Sequence, residues 1–298
     1  MSEIKNVLMD PVKEWGGSWT DQKLDAFAKY VSAYLHIMKK NPYWATIYFD
    51  GFAGSGDRKD KCISALYNQL MLSESEEKLY KGAAERVLSL PDELSFDFYY
   101  FIDSDDTSLL KLKQKLAPFQ DKRKNKFQFK TGDCNKYLNE LGLAMNKKKY
   151  AALVFLDPFG MQINWKSIES LKGTRTDIWI LIPTGVIVNR LLDKAGKLKH
   201  IEKLQSFFGI EEDEIIRYFY QTEKQNTLFG ETEVTRKVSR PIERIAELYI
   251  LRLSEVWKYV TVKPLVLYNS REVPIYHFVF ASNKRDAVKI AEQIIKAI

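Results

Sequence analysis

Residues 44–56 read Trp-Ala-Thr-Ile-Tyr-Phe-Asp-Gly-Phe-Ala-Gly-Ser-Gly, and this stretch decides the fold. Its apolar run predicts a buried strand that ends at Asp50 and passes into a glycine-rich turn. Gly54 and Gly56 let the backbone approach a ligand closely. A dinucleotide site would require a third glycine where this chain has Lys59. The turn therefore favours a nucleoside cofactor without phosphates, although a tight strand-to-helix turn alone also explains the glycines.

Further apolar runs repeat the strand-and-turn pattern along the chain. Five strands alternating with helices are predicted at residues 44–49, 98–102, 127–130, 151–156 and 178–182. Two more, at 260–268 and 275–281, follow one another and fit an antiparallel edge. The sequence thus predicts an α/β fold with a doubly wound, mostly parallel sheet.

These elements are expected to form a single domain over residues 1–298. Helical spacing of apolar residues predicts an N-terminal helix over 20–40 and another over about 62–90. The stretch of about 196–259 is expected to be a mainly helical insertion. It is rich in aromatic residues, namely Phe207, Phe208, Tyr218, Phe219, Tyr220 and Phe229.

Composition narrows the class of protein. With 45% hydrophobic and 29% charged residues, the chain is typical of a globular protein with a packed core. Cys62 and Cys134 cannot make a disulfide framework and, with three histidines, fall short of a zinc site, so a reducing, cytoplasmic location is expected. Residues 1–11 lack a signal-peptide run, and Pro183 interrupts the most apolar stretch, which argues against a membrane span. The net charge of +7 favours polyanionic partners, although many lysine-rich surfaces bind nothing.

Acidic residues follow four of the predicted strands, at the edge where open α/β sheets bind ligands. Asp50 can receive an α-ammonium group, and Asp103 can bind both ribose hydroxyls. Asp133 can accept a hydrogen bond from an adenine amino group, with the backbone of Cys134 beside it. Residues 102–106 could instead be a capping cluster for the next helix, and Asp133 could be a helix N-cap.

The turn after the fourth strand reads Asp157-Pro158-Phe159-Gly160. Asp157 can orient an amine, and Phe159 can stack on a planar base. Pro158 has no N–H group, so it turns the chain and leaves nearby carbonyl groups free to face a ligand. A plain loop is the alternative interpretation.

Together these residues resemble the class I methyltransferases that use S-adenosylmethionine. Residues 50–56 resemble the first motif of cytosine carbon-5 DNA methyltransferases, which implies cofactor contacts from Phe52 and Ala53 as well as from the glycines. Residues 157–160 resemble the Asp-Pro-Pro-aromatic motif of amino-group methyltransferases, with Phe in place of the second proline and Gly in place of the aromatic. Neither cysteine follows a proline, which argues against carbon-5 chemistry.

A closer resemblance, over roughly residues 15–195, is to the three-Cys-motif partner protein family. It implies a methyltransferase-like fold and a companion protein with three cysteines. The residues that carry it are Trp19-Thr20 with Lys23, Phe52-Ala53-Gly54, Ile102-Asp103, Gly132-Asp133-x-Asn135, Phe155 to Gly160, Trp165 and the Pro183 region.

Two basic stretches bear on the substrate. Residues 111–130 hold eight Lys or Arg and one acidic residue, and are interpreted as a solvated face at an edge strand. The second stretch lies beside the aromatic insertion and favours a nucleic-acid groove. It consists of Arg190, Lys194, Lys197, Lys199, His200 and Lys203.

The leading hypothesis is therefore methyl transfer from S-adenosylmethionine to a nitrogen of a nucleic-acid base, with Asp157, Pro158 and Phe159 at the acceptor. Lys23 is proposed to lie near the cofactor carboxylate, and the alternative is a solvent-exposed lysine opposite the apolar stripe of its helix. The alternatives are a non-catalytic companion of a three-cysteine protein and a methyltransferase for small molecules or proteins.

Overall fold

The computed structural model describes residues 17–55, 82–122, 126–146, 149–194, 196, 198, 200–227, 230–269 and 271–298. Some predictions fall outside these ranges, namely those on Gly56, Cys62, Lys197, Lys199, Phe229 and most of the helix over 62–90.

The described strands and helices alternate as the sequence predicts. The strands are β1 (Ala45–Asp50), β2 (Phe98–Asp103), β3 (Lys126–Thr131), β4 (Tyr150–Leu156), β5 (Thr176–Ile182), β6 (Tyr220–Thr227), β7 (Gly230–Lys237), β8 (Tyr259–Val260), β9 (Leu265–Tyr268) and β10 (Pro274–Ser282). The helices are α1 (Gly17–Lys39), α2 (Ala83–Leu88), α3 (Asp106–Lys122), α4 (Cys134–Met145), α5 (Trp165–Glu169), α6 (Asn189–Leu191), α7 (Ile201–Phe208), α8 (Glu212–Phe219), α9 (Pro241–Leu253) and α10 (Arg285–Lys296).

One eight-stranded sheet organises the molecule. Its order is β3-β2-β1-β4-β5-β10-β8, and β9 also pairs with β10. Strands β1 to β5 are parallel, whereas β10 runs antiparallel to β5, β8 and β9. The strand order reverses between β1 and β4, which opens a crevice at their carboxyl ends. The expected doubly wound, mostly parallel sheet is confirmed.

The antiparallel end of the sheet differs from the prediction in one detail. Residues 260–268, predicted as a single strand, form the two short strands β8 and β9. Pro264 lies between them, and a proline has no N–H group with which to continue a ladder.

The two faces of the sheet carry different cores because successive side chains of a strand point in opposite directions. Tyr48, Tyr99 and Phe101 pack on one face with aromatic residues of α1. Ile47 and Phe49 pack on the other face, in a core that α4, α7 and α9 share. Among the helices of the described residues, none combines the length and the apolarity that crossing a bilayer requires.

Helix α1 is fixed firmly against the aromatic face. The ring centroids of Phe27 and Phe155 are 4.2 Å apart. The hydroxyl of Tyr30 donates to Asp177 Oδ2 at 2.7 Å. These contacts hold the beginning of α1 beside the end of β4, which decides where Lys23 lies.

The predicted helical insertion is only partly helical. Helices α7, α8 and α9 flank a hairpin of β6 and β7, in which the hydroxyls of Thr222 and Thr235 lie 3.1 Å apart. The hairpin was missed because its residues are almost all polar and lack the apolar alternation that marks a half-buried strand.

Four of the insertion's aromatic residues lie in the core of the protein. Phe207, Phe208, Phe219 and Tyr220 are buried in the core, where they cannot stack on nucleic-acid bases. Burial of large rings is the ordinary consequence of their apolar area.

Candidate functional site

Four acidic residues follow neighbouring strands of the sheet. Because β3, β2, β1 and β4 are adjacent and parallel, Asp133, Asp103, Asp50 and Asp157 form a row along their carboxyl edge. Within the described ranges, no group of three or more His, Cys, Asp or Glu side chains is arranged to hold a metal ion. The sheet therefore brings together the residues that the sequence analysis singled out.

The glycine-rich turn after β1 is bonded to the strands on both sides. The Gly51 amide donates to the Phe155 carbonyl at 3.0 Å, and the Ala53 amide donates to the Ile102 carbonyl at 2.8 Å. Gly54 has a φ of +57°, a conformation that favours glycine. The turn thus exposes backbone at the row of carboxylates in a fixed conformation.

Gly51 is required for close packing rather than for its dihedral angles. A Cβ at this position would lie 2.6 Å from Cys134 Sγ and 2.6 Å from Leu156 Cδ2. Cys134 itself is a buried free cysteine, and burial raises the pKa of its thiol. Its side chain is therefore a packing element under the turn, and only its backbone can face a ligand.

Asp50 is almost fully buried, with 1% of its surface exposed. It accepts a hydrogen bond from the Tyr48 hydroxyl at 3.0 Å and from the Phe52 amide at 3.3 Å. Burial, together with the charges of Asp157 and Asp103, raises the pKa of Asp50 to about 7. This edge of the sheet therefore carries excess negative charge, which a bound cation would relieve.

Asp103 faces the glycine-rich turn and does not cap a helix. Its Oδ2 accepts from the Gly54 amide at 2.9 Å, and its Oδ1 accepts from the Asp105 amide at 2.8 Å. The cap of α3 is Asp105, which accepts from the Thr107 amide at 3.0 Å and the Ser108 hydroxyl at 2.7 Å. The capping role that the sequence left open for this acidic run is therefore filled by Asp105.

Asp133 is the N-cap of α4, as one of the two interpretations of the sequence holds. Its Oδ1 accepts from the backbone amide and the side-chain amide of Asn135, both at 2.9 Å. Asn135 also donates to the Gln162 carbonyl at 2.8 Å and accepts from the Asn164 amide at 2.8 Å. Asn135 thereby joins α4 to the loop after β4, a role that its position in the Gly-Asp-x-Asn run did not reveal.

Asp157 pairs with Lys23 from the distant helix α1. The Lys23 ammonium lies 2.5 Å from Asp157 Oδ2, and the two side chains are 4% and 25% exposed respectively. Pro158 is buried, whereas Phe159 is 47% exposed. The structure thus brings Lys23 to the edge of the sheet as predicted, but its partner there is a protein carboxylate.

The region after β5 completes this side of the edge. Thr184 Oγ1 and His277 Nδ1 lie 2.8 Å apart, and burial lowers the pKa of His277 to about 4. Arg190, Lys194 and Lys203 of the second basic stretch are exposed.

The hairpin β6–β7 is tied to the same region through Lys237. Its ammonium donates to the Asn189 carbonyl at 2.7 Å, to the Asn189 side chain at 2.6 Å and to the Leu192 carbonyl at 2.8 Å. Burial lowers the pKa of Lys237 to about 8. Lys237 is therefore a structural anchor that the sequence analysis did not identify.

No protein-family model and no curated protein matches this chain. Among solved structures it is similar to a Legionella pneumophila protein of the DUF519 family, at 16% identity and a TM-score of 0.40, over 81% of this chain and 93% of that chain. It is also similar to Trm1 from Pyrococcus horikoshii, solved in complex with S-adenosyl-L-methionine, at 11% identity and a TM-score of 0.41. This second match covers 92% of this chain and 57% of the Trm1 chain. Both TM-scores lie below 0.5, so the fold is assigned from the strand order.

Proposed function

We propose that this chain is an S-adenosylmethionine-dependent methyltransferase that acts on a nitrogen. One observation carries the proposal: three carboxylates, Asp50, Asp103 and Asp157, follow adjacent parallel strands around a backbone turn. Their mutual repulsion contributes to the raised pKa of Asp50. The cofactor bears two positive groups and one negative group, so its binding would relieve this repulsion.

The described residues fit the parts of such a cofactor. Asp50 would receive the α-ammonium group, because it ends β1 below the turn. Asp103 would bind the ribose hydroxyls, since it lies against the Gly54 amide. The backbone of Phe52, Ala53 and Gly54, continuing to Gly56 outside the described residues, would line the nucleoside. The exposed Asp133 carboxylate and the Cys134 backbone, at the start of α4, would contact the adenine.

The acceptor would lie at the loop after β4. When bound, S-adenosylmethionine supplies an electrophilic methyl group, and the protein must hold the acceptor nitrogen in line with it. Asp157 and the Pro158 carbonyl would accept hydrogen bonds from the N–H groups of the acceptor. The exposed ring of Phe159 would stack on it if it is a planar base.

We assign the acceptor to a nucleic-acid base on the strength of surface charge. Arg190, Lys194 and Lys203 are exposed in the stretch that follows β5 along the chain, and the chain carries a net charge of +7. Such cations suit a phosphate backbone, and their contribution falls with added salt. Replacing these three residues by Ser should therefore weaken RNA or DNA binding and flatten its dependence on salt.

Calorimetry with S-adenosylhomocysteine tests the cofactor site. Asp103→Ala should weaken binding about ten- to a hundredfold, because a charge-assisted hydrogen bond is lost. Asp105→Ala is the matched control, since this neighbouring carboxylate caps α3 and should leave the affinity within about twofold. No binding by the wild type, or an equal loss in both variants, would refute the proposed site.

Transfer of labelled methyl groups into RNA, DNA and protein tests the reaction. Asp157→Asn is preferred to alanine because the amide oxygen can still accept from Lys23, which is buried. We expect retained cofactor binding and strongly reduced transfer in this variant. If the wild type binds the cofactor but methylates none of these substrates, this chain is better assigned as a non-catalytic companion of a three-cysteine protein. Gly160, which stands where the amino-group methyltransferase motif has its aromatic residue, favours that second candidate.

A further inference from the structure

The structure pairs Lys23, which is predicted to contact the cofactor, with Asp157, which is predicted to contact the acceptor. We propose that Lys23 is a shared cation, which holds Asp157 in the free protein and moves to the α-carboxylate of the cofactor when the cofactor binds. Asp157 is then released to orient the acceptor nitrogen. The inference rests on the proposed function and makes acceptor binding dependent on cofactor binding.

The first support is the burial of the ammonium. Lys23 is 3% exposed, and a buried ammonium is costly unless an anion accompanies it. The neighbouring acids of α1 serve another partner, because Asp21 and Asp25 both pair with Arg86 of α2. An anion that arrives at the edge of the sheet can therefore accompany Lys23 when Asp157 is engaged elsewhere.

The second support is the position of Asp157 relative to Asp50. The two residues follow the neighbouring strands β1 and β4, and the charge of Asp157 contributes to the raised pKa of Asp50. If Asp50 receives the α-ammonium group, the carboxylate on the same carbon arrives close to Asp157. The cofactor carboxylate and the Asp157 carboxylate would then repel each other. The Lys23 ammonium already lies beside Asp157, so it can pair with the cofactor carboxylate.

The third support is the difference in exposure between the partners. The Asp157 side chain is 25% exposed and the Lys23 side chain 4%, so the carboxylate lies towards the open edge and the ammonium behind it. The flexible four-carbon stem of a lysine allows its charge to move between two nearby anions without a change in the backbone.

The consequence is that binding of the cofactor favours binding of the acceptor. While the ammonium occupies Asp157, an N–H donor of an acceptor competes with a cation for the same carboxylate. After the transfer, Asp157 is free to accept from the nitrogen. By linkage, the acceptor and the cofactor then raise each other's affinity.

The test compares two probes that differ only in the carboxylate. S-adenosylhomocysteine and its decarboxylated analogue are titrated into the wild type, Lys23→Met, Lys23→Arg and the control Lys29→Met, an exposed lysine on the same helix. The wild type and Lys29→Met should prefer S-adenosylhomocysteine about ten- to a hundredfold. Lys23→Met should lose this preference, and Lys23→Arg should recover part of it.

The outcomes separate this inference from the proposed function. If the wild type binds neither probe, the proposed function fails and the inference fails with it. If the wild type binds both probes equally, or Lys23→Met keeps the preference, only the transfer of Lys23 is refuted. A crystal structure of the wild type with S-adenosylhomocysteine decides directly: the inference predicts that Lys23 contacts the ligand carboxylate and has left Asp157, and an intact Lys23–Asp157 pair overturns it.

Discussion

The buried carboxyl of Asp50 should make the stability of the protein depend on pH in a defined way. Its pKa is raised from 3.8 to about 7 by burial, so the folded state binds this proton more tightly than the unfolded state does. A raised carboxyl pKa stabilises the folded protein at low pH, and that stability is lost as the pH rises from about 4 to about 7. A difference of about three pKa units corresponds to roughly 4 kcal/mol.

Asp50→Asn isolates this contribution. The amide oxygen can still accept from the Phe52 amide, and the Tyr48 hydroxyl can still bond to the side chain, but the group no longer titrates. Urea unfolding of both proteins should give a free-energy difference, variant minus wild type, that grows by about 1.4 kcal/mol per pH unit between about pH 4 and pH 7 and is constant above.

The difference between the two proteins matters because other buried groups also titrate. Burial lowers the pKa of His277 to about 4, which makes stability rise with pH up to about 6.5 and opposes the effect of Asp50. Burial also raises the pKa of Asp177. Both residues are present in both proteins and cancel in the subtraction. Parallel stability curves for the wild type and Asp50→Asn would refute the account of Asp50.

Three further predictions concern the same edge of the sheet. Gly51→Ala should lower the free energy of unfolding by about 1–3 kcal/mol, because its Cβ would lie 2.6 Å from Cys134 Sγ. In urea unfolding, adding Cys134→Ala should recover part of this loss. An unchanged urea midpoint for Gly51→Ala alone would contradict the close packing. The thiol of Cys134 should resist Ellman's reagent in folded Cys62→Ser protein and react in denaturant, since it is buried; rapid labelling without denaturant would show that the site is open. Tyr48→Phe removes a hydrogen bond that lowers the pKa of Asp50, so the pKa of Asp50 should rise in this variant. The pH-dependent loss of stability that Asp50 causes should therefore occur at a higher pH than in the wild type. An unmoved transition would mean that this bond does not act on the carboxylate.

The sequence predicted the parallel strands well because strands buried on both faces are continuous apolar runs. Residues 151–156 were predicted as a strand, and β4 covers Tyr150–Leu156. The hairpin β6–β7 was not predicted because a polar ribbon carries no apolar alternation. The sequence pattern that predicts a strand is its apolar residues, which reflect burial. An exposed strand lacks this pattern.

The sequence predicted which strand ends form the site, but it did not predict which side chains there contact one another. The acidic run at 103–106 offers several carboxylates with the same local chemistry, and only the turn after β1 decides that Asp103 faces the glycines while Asp105 caps α3. The Lys23–Asp157 pair joins residues 134 positions apart. It depends on the docking of α1 against β4, which no local pattern contains.

The antiparallel strand β10 has a consequence for synthesis of the protein. It pairs with β5 up to His277 opposite Ile182, so that Thr184 and Gly185 contact residues at the start of β10. Pro274 follows Ile182 by 274 − 182 = 92 residues, which a ribosome adds in roughly 5–20 s. During that interval the nascent sheet presents β5 as an unpaired edge, the kind of surface that recruits strands from other chains. The topology therefore leaves the edge of β5 to be completed only after the whole segment between the two strands has been synthesised.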